Sequence, residues 1–337
     1  MLAFLTRLSS GDLPDAGAAD HVLGGAVLGG RCEDGEPAWP EQTIFAPFSG
    51  STATGLHEVW QSAVRCTAGC SEGITWRRAG DILYGVIDLD EAAFCEAGDC
   101  SPLQAASQEA YARIFRLLTA QRLPHLWRAW NYFADINGES HGLERYRQFN
   151  IGRQDAFLEF SRGASGNVPA ACAIGLAGGP LSVAFMAGAQ PATAIENPRQ
   201  ISAYDYPTDY GPRSPTFSRA VLVAPPGQEI LFVSGTASIV GHRTVHGGDA
   251  AAQCREVLAN IVAVLDAANR QCHSATYTLN ELSYRVYVRH AVDFDSVKEV
   301  LTAGLGAAAD IVFVQADICR ADLLLEVEAT AIHTLAG

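Results

Sequence analysis

The chain has 337 residues, 48% hydrophobic and 18% charged, an ordinary globular balance with enough apolar mass for one large domain or two medium ones. A formal net charge of −14 without any Lys/Arg-rich run excludes a nucleic-acid or acidic-membrane surface, both of which need basic charge. The longest apolar runs fall far short of the roughly 20 residues that span a bilayer; the short apolar start lacks the basic leader of a signal peptide, so a cytoplasmic location is the expectation.

The first 40 residues, rich in Gly, Asp, Pro and Ala, have weak periodicity and are expected to form an irregular lead-in. A strand is predicted over 81–89. A helix then starts with Ser101 at the N-cap, Pro102 at the first helical position and Gln104 closing a capping box. Tyr111, Ile114, Leu117 and Leu118 recur at helical spacing to about Ala120. Pro124 stops it, and a strand follows over 125–133. Residues 171–195 give short apolar runs broken by glycines, hence closely spaced buried strands. Residues 196–217 form a Pro- and Tyr-rich loop, and long loops dense in aromatic and polar groups are more often functional than idle.

After this loop, strands over 218–224 and 229–240 flank the turn Pro225-Pro226-Gly227. A helix from about Asp249 places Cys254, Leu258, Ile261, Val264, Leu265 and Ala268 on one face. A strand over 282–288 precedes a shorter helix from near Asp293, with Val297, Val300 and Leu301 inward. Strands over 311–316 and 323–332 close the chain. The pattern predicts an α+β (mixed α/β) protein, divided into an N-terminal α/β domain (1–195) and a C-terminal domain (196–337). A second, related unit in the middle fits the pattern, but no clean internal repeat is visible.

Side chains alternate along the last strand, so Leu323, Leu325 and Val327 share one face, and Leu324, Glu326 and Glu328 the other. Two acids on one face fit either a cavity wall or a solvated edge strand, and alternation does not choose between Glu326 and Glu328. A glutamate that lines a cavity would hold its proton to higher pH, because desolvation disfavours the charged form. Nine cysteines, at positions 32, 66, 70, 95, 100, 172, 254, 272 and 319, read as reduced thiols. Neither Cys66/Cys70 nor Cys95/Cys100 has the tight spacing of a zinc site, and His242 and His246 have no third ligand in pattern. His290 and His333, past strand ends, read as structural or solvated. No metal is expected.

Two sets of motifs carry family resemblances. Residues 232–238 (FVSGTAS), 256–265 (EVLANIVAVL) and 325–331 (LEVEATA) resemble the RidA/YjgF family. Residues 128–137 (RAWNYFADIN), 144–153 (ERYRQFNIGR), 196–200 (ENPRQ), 204–207 (YDYP) and 212–219 (PRSPTFSR) resemble the chorismatases, so the resemblance runs from about residue 80 to 333. It implies a RidA/YjgF-like C-terminal domain behind an extended N-terminal one, and a cofactor-free enzyme that releases pyruvate from chorismate. It also implies a trimer, or one chain whose N-terminal half supplies the missing faces.

Cleaving the vinyl ether of chorismate begins with protonation of its methylene carbon, which leaves an oxocarbenium ion for an oxygen nucleophile. The resemblance assigns the acid to Glu326. It places a substrate-carboxylate arginine at Arg219; Arg147 and Arg153, with Arg213 weaker, are further candidates, since a guanidinium fork suits a carboxylate, and each reads otherwise as a solvated or ion-paired group. Tyr206 reads as a ring contact or hydrogen-bond donor or as loop packing, Asn131 as a ring-hydroxyl contact or a satisfier of strand backbone, and Gly235 and Ala237 as thinning the strand for a ligand or as a bulge or tight sheet packing. Within the family, alanine at 237 resembles the simple hydrolases and cysteine at 319 the hydroxybenzoate formers. This mixed pair resembles the branch making both 3- and 4-hydroxybenzoate for pigment biosynthesis. Capture by bound water would give a dihydroxy-cyclohexadiene acid, whereas excluding water lets a ring hydroxyl attack and the ring aromatise. A reading of another class is a non-catalytic RidA-like metabolite-binding or interaction module; the motifs before residue 217, which simple RidA proteins lack, stand against it.

Overall fold

The computed structural model describes the chain except for residues 9–11, 15–16, 30–37, 47–54, 95–99 and 336–337. Its first sheet contains β1 (Leu2–Leu8), β2 (Val22–Leu28), β3 (Glu41–Ile44) and β4 (Leu56–Ser62), in the order β1-β4-β2-β3. This corrects the irregular lead-in expected for the first 40 residues. β2 is buried along its whole length. Its glycines conceal a strand that needs them: a Cβ at Gly24 would lie 2.2 Å from the Tyr84 ring, and one at Gly25 2.0 Å from the Glu58 carbonyl.

The second sheet is built from β5 (Thr67–Ser71), β6 (Ile74–Ala79), β7 (Ile82–Leu89), β8 (His125–Ala134), β11 (Ala170–Leu176) and β12 (Leu181–Gly188). Between them lie α1 (Pro102–Gln121), the small hairpin β9 (Glu139–Ser140) and β10 (Leu143–Glu144), and α2 (Arg145–Glu159). The third sheet uses β13 (Thr193–Ile195), β14 (Ala220–Val223), β15 (Gln228–Thr236), β18 (Ser283–Val288), β19 (Asp310–Gln315) and β20 (Leu325–Thr334). The hairpin β16 (Ile239–Val240) and β17 (Arg243–Thr244) and the helices α3 (Ala250–Asn269) and α4 (Phe294–Leu305) complete it. β13, just before residue 196, already pairs with β14. The strand expected over 229–240 breaks at Thr236, past a register shift against β20.

The second and third sheets have one topology. Their orders are β5-β6-β7-β12-β8-β11 and β13-β14-β15-β20-β18-β19, with β8/β11 and β18/β19 parallel and the last strand inserted centrally. The first sheet repeats the last four strands of that order, with β2 and β3 as its parallel pair. A repeat invisible in the residues is thus plain in the strand order.

Strand alternation gives each six-stranded sheet two apolar faces. The outer face of the second packs Leu83, Phe133 and Phe185 under α1 and α2, and that of the third packs Val286, Leu325 and Val327 under α3 and α4. The inner faces meet the first sheet in a common core that includes Trp60, Trp130, Tyr132, Phe232 and Tyr287. α1 starts as expected, Ser101 Oγ accepting from the Gln104 amide at 3.2 Å. β20 lies between β15 and β18, which overturns the solvated edge-strand reading of its acids.

Among the described residues the cysteines are free thiols and no His/Cys/Asp/Glu cluster is placed to hold a metal; Cys32 and Cys95 lie outside them. Among the described residues no helix is long and apolar enough to cross a membrane.

Candidate active site

A cavity of ≈ 260 Å³ opens where the β11 edge and α2 meet β15, β20 and the 196–217 loop. Its walls include Glu326, Arg147, Arg153, Tyr206, Arg219, Gly235, Ala237 and Cys319, so most of the residues singled out from sequence converge there.

Glu326 and Glu328 share the inner face of β20 but meet opposite environments. Glu328 pairs with Arg128, and with Arg285 Nη1 at 3.2 Å, and accepts from the Tyr287 hydroxyl at 3.2 Å. Arg285 pairs in turn with Glu58 of β4 and donates to the Tyr132 hydroxyl at 2.6 Å. This buried network joins all three sheets and balances its charges. Glu326 has no such partner. Burial pushes its carboxyl up to about 8, the Glu328 charge adds to the rise, and Arg128, Arg219 and the Cys319 contact oppose it. Two carboxyls two residues apart are separated in this way into an ion-paired anion and an acid that keeps its proton at neutral pH.

The glycine at 235 has a sharper purpose than thinning the strand. A Cβ there would lie 1.9 Å from Glu326 Oε1, so the acid's carboxyl fills the missing side chain's space. Gly235→Ala is expected to displace the acid and lower kcat on the order of 10²-fold, as misplacement by about 1 Å does. An unchanged kcat would remove this role. On the other side, the Cys319 thiol is 3.9 Å from Glu326 Oε2, and burial pushes that thiol up to about 12, so it remains a neutral donor.

The arginines differ in what they have left to give. Arg147 is paired with Glu144 at 3.1 Å. Arg219 donates through Nη2 to the Ile201 carbonyl and the Tyr206 hydroxyl, both at 2.8 Å, while its Nε is buried without a partner. Arg153 lies 5.2 Å from the Phe149 ring centroid and also has an unpartnered buried Nε. An unmet buried N–H carries a desolvation penalty that an anionic ligand would remove.

Two candidates fall outside the cavity. Asn131 does not line it: its Nδ2 donates to the Cys172 carbonyl at 2.8 Å and its Oδ1 accepts from Tyr111 at 2.7 Å, so its amide is consumed one layer behind the wall. Arg213 is half-exposed and pairs with Asp155 at 3.4 Å. His242 contacts the Tyr210 hydroxyl at 3.2 Å and joins no metal cluster.

Sequence reasoning missed Tyr146, Cys172, Tyr210, Phe217 and Arg320, all of which line the cavity. Adjacency to Cys319 was the available signal for Arg320. α2 itself went unpredicted because its buried face mixes Gln148, Asn150, Arg153 and Gln154 with Phe149, Ala156 and Phe157, so no continuous apolar stripe shows.

Residues 58–187 match a family model described as chorismatase FkbO/Hyg5-like, N-terminal. A chorismatase of Streptomyces rapamycinicus is 39% identical over 279 residues, covering 80% of this chain and 80% of that protein. A 3-hydroxybenzoate synthase of Streptomyces hygroscopicus is 38% identical over 293 residues, covering 82% of each. A crystal structure of a chorismatase covers 98% of both chains with a TM-score of 0.84 and 33% identity. With this similarity along most of its length and in its fold, the chain belongs to the chorismatase family.

Proposed function

We propose that the chain converts chorismate to pyruvate and 3-hydroxybenzoate, with a share of 4-hydroxybenzoate, and that Glu326 starts the reaction. The observation that carries this reading is a buried carboxyl held protonated to about pH 8 in the same cavity as Arg153 and Arg219, each with an unmet N–H. The arginines would fix the two carboxylates, with Tyr206 held against Arg219 as a ring contact. Glu326 would deliver its proton to the enolpyruvyl methylene carbon, and the resulting oxocarbenium ion would be stabilised by the carboxylate left behind. Capture by a ring hydroxyl and aromatisation yield pyruvate and a hydroxybenzoate with no net change in atoms, and the proton lost on aromatisation restores the acid. Both walls of the cavity come from one chain, so the reading needs no second copy.

Hydrolysis is the second reading, and it consumes one water to give pyruvate and a dihydroxy-cyclohexadiene acid. Ala237 favours it, the relative named 3-hydroxybenzoate synthase and Cys319 the first. Incubating the purified protein with chorismate, assaying pyruvate and identifying the ring product by mass and NMR separates them. Absence of pyruvate would sink both. Cys319→Val is expected to change the product ratio, because it reshapes the wall beside the acid and alters access of water to the cation; identical ratios would end that assignment.

A further inference from the structure

Arg320, between β19 and β20, lines the cavity next to Cys319. Its guanidinium carbon lies 4.1 Å from the Tyr210 ring centroid and 5.2 Å from that of Tyr206. Nη1 donates to the His242 carbonyl at 2.9 Å and contacts Thr244 Oγ1 at 3.4 Å. Nη2 is buried with no partner among the described residues. The two rings and the β16–β17 hairpin hold the planar group in place. A guanidinium held in this way, with one arm satisfied and one unmet, is preorganised for an anionic oxygen.

We propose that Arg320 is a substrate-binding residue that takes one carboxylate of a dicarboxylate substrate, on a shelf made by Tyr206 and Tyr210. This rests on the chorismate reading. It gives the cavity a third guanidinium with an unmet N–H beside Arg153 and Arg219, in a protein whose overall charge of −14 would otherwise repel a dianion.

The test is R320M, which keeps an unbranched stem but removes the charge and the hydrogen-bonding fork. Chorismate Kd by calorimetry and KM are expected to rise roughly tenfold to a hundredfold. kcat should be nearly unchanged, because the contact serves ground and transition state alike. R320K, which keeps the charge without the fork, should recover part of the loss and carries the comparison if R320M melts early. Pyruvate and 3-hydroxybenzoate each carry one of the two carboxylates. The acid whose inhibition weakens in the variant identifies the group Arg320 holds. A variant that binds chorismate and both acids as the wild type does would overturn the proposal. If the wild type neither binds nor converts chorismate, the functional reading fails first. Benzoate and pyruvate binding to wild type and R320M then still tests the anion site, and equal affinities for both acids sink it.

Discussion

Glu326→Gln is expected to fold, to bind chorismate, and to lose about 10²- to 10⁴-fold in kcat, the range a positioned general acid contributes. Glutamine keeps the shape beside Gly235 but has no transferable proton. Wild-type activity should be flat through neutrality and fall as pH rises through about 8, where Glu326 ionises; a solvated glutamate would lose its proton near pH 4.5. The same carboxyl carries a stability consequence. Its folded-state value lies above its unfolded one, so between about 4.5 and 8 the native state holds a proton that the unfolded state releases. Stability from this group is present in full below 4.5 and is lost as pH rises through 8. Glu326→Gln should therefore melt above the wild type at pH 8, with the gap closing toward pH 4.5. An inactive variant with no such thermal gain would mean that the carboxyl is not desolvated as described; wild-type turnover would dismiss it as the acid.

Glu328→Ala is expected to be the most destabilising single change near the site. It strands Arg128 in the core between the sheets and leaves Arg285 with Glu58 alone, and breaking a buried pair from one side costs about 3–5 kcal/mol, much of a typical 5–15 kcal/mol total. Urea unfolding measures this, and a loss below about 1 kcal/mol, the level of a surface ion pair, would contradict the network. Removing the Glu328 charge also removes one cause of the elevated Glu326 value. In whatever fraction folds, the alkaline limb of the pH profile should move to lower pH.

How far the residues foretold this site varies by element. Alternation along β20 placed both acids on one face correctly, but no local pattern could say that two arginines from β8 and β18 neutralise one of them. The 196–217 loop was legible from its tyrosines and prolines. α2 was not, because it buries Gln148, Asn150, Arg153 and Gln154 among Phe149, Ala156 and Phe157, which breaks up the apolar stripe by which buried helices are recognised. β2 was hidden by glycines chosen for close backbone approach, and Asn131 looked like a ligand contact because a satisfied buried amide and a ligand-binding one share the same residue type.

The repeated sheets make the three strand systems comparable. On β12, Ser182 pairs with Tyr132 in the way Glu326 pairs with Tyr287 on β20, and Ser182 accepts from Gln42 at 3.1 Å. Where the third sheet carries an acid in a void, the second carries a small hydroxyl joined to its neighbour. In a ring of identical subunits every substitution appears at every interface at once. Three repeated sheets within one chain can instead differ residue by residue, as Ser182 and Glu326 do.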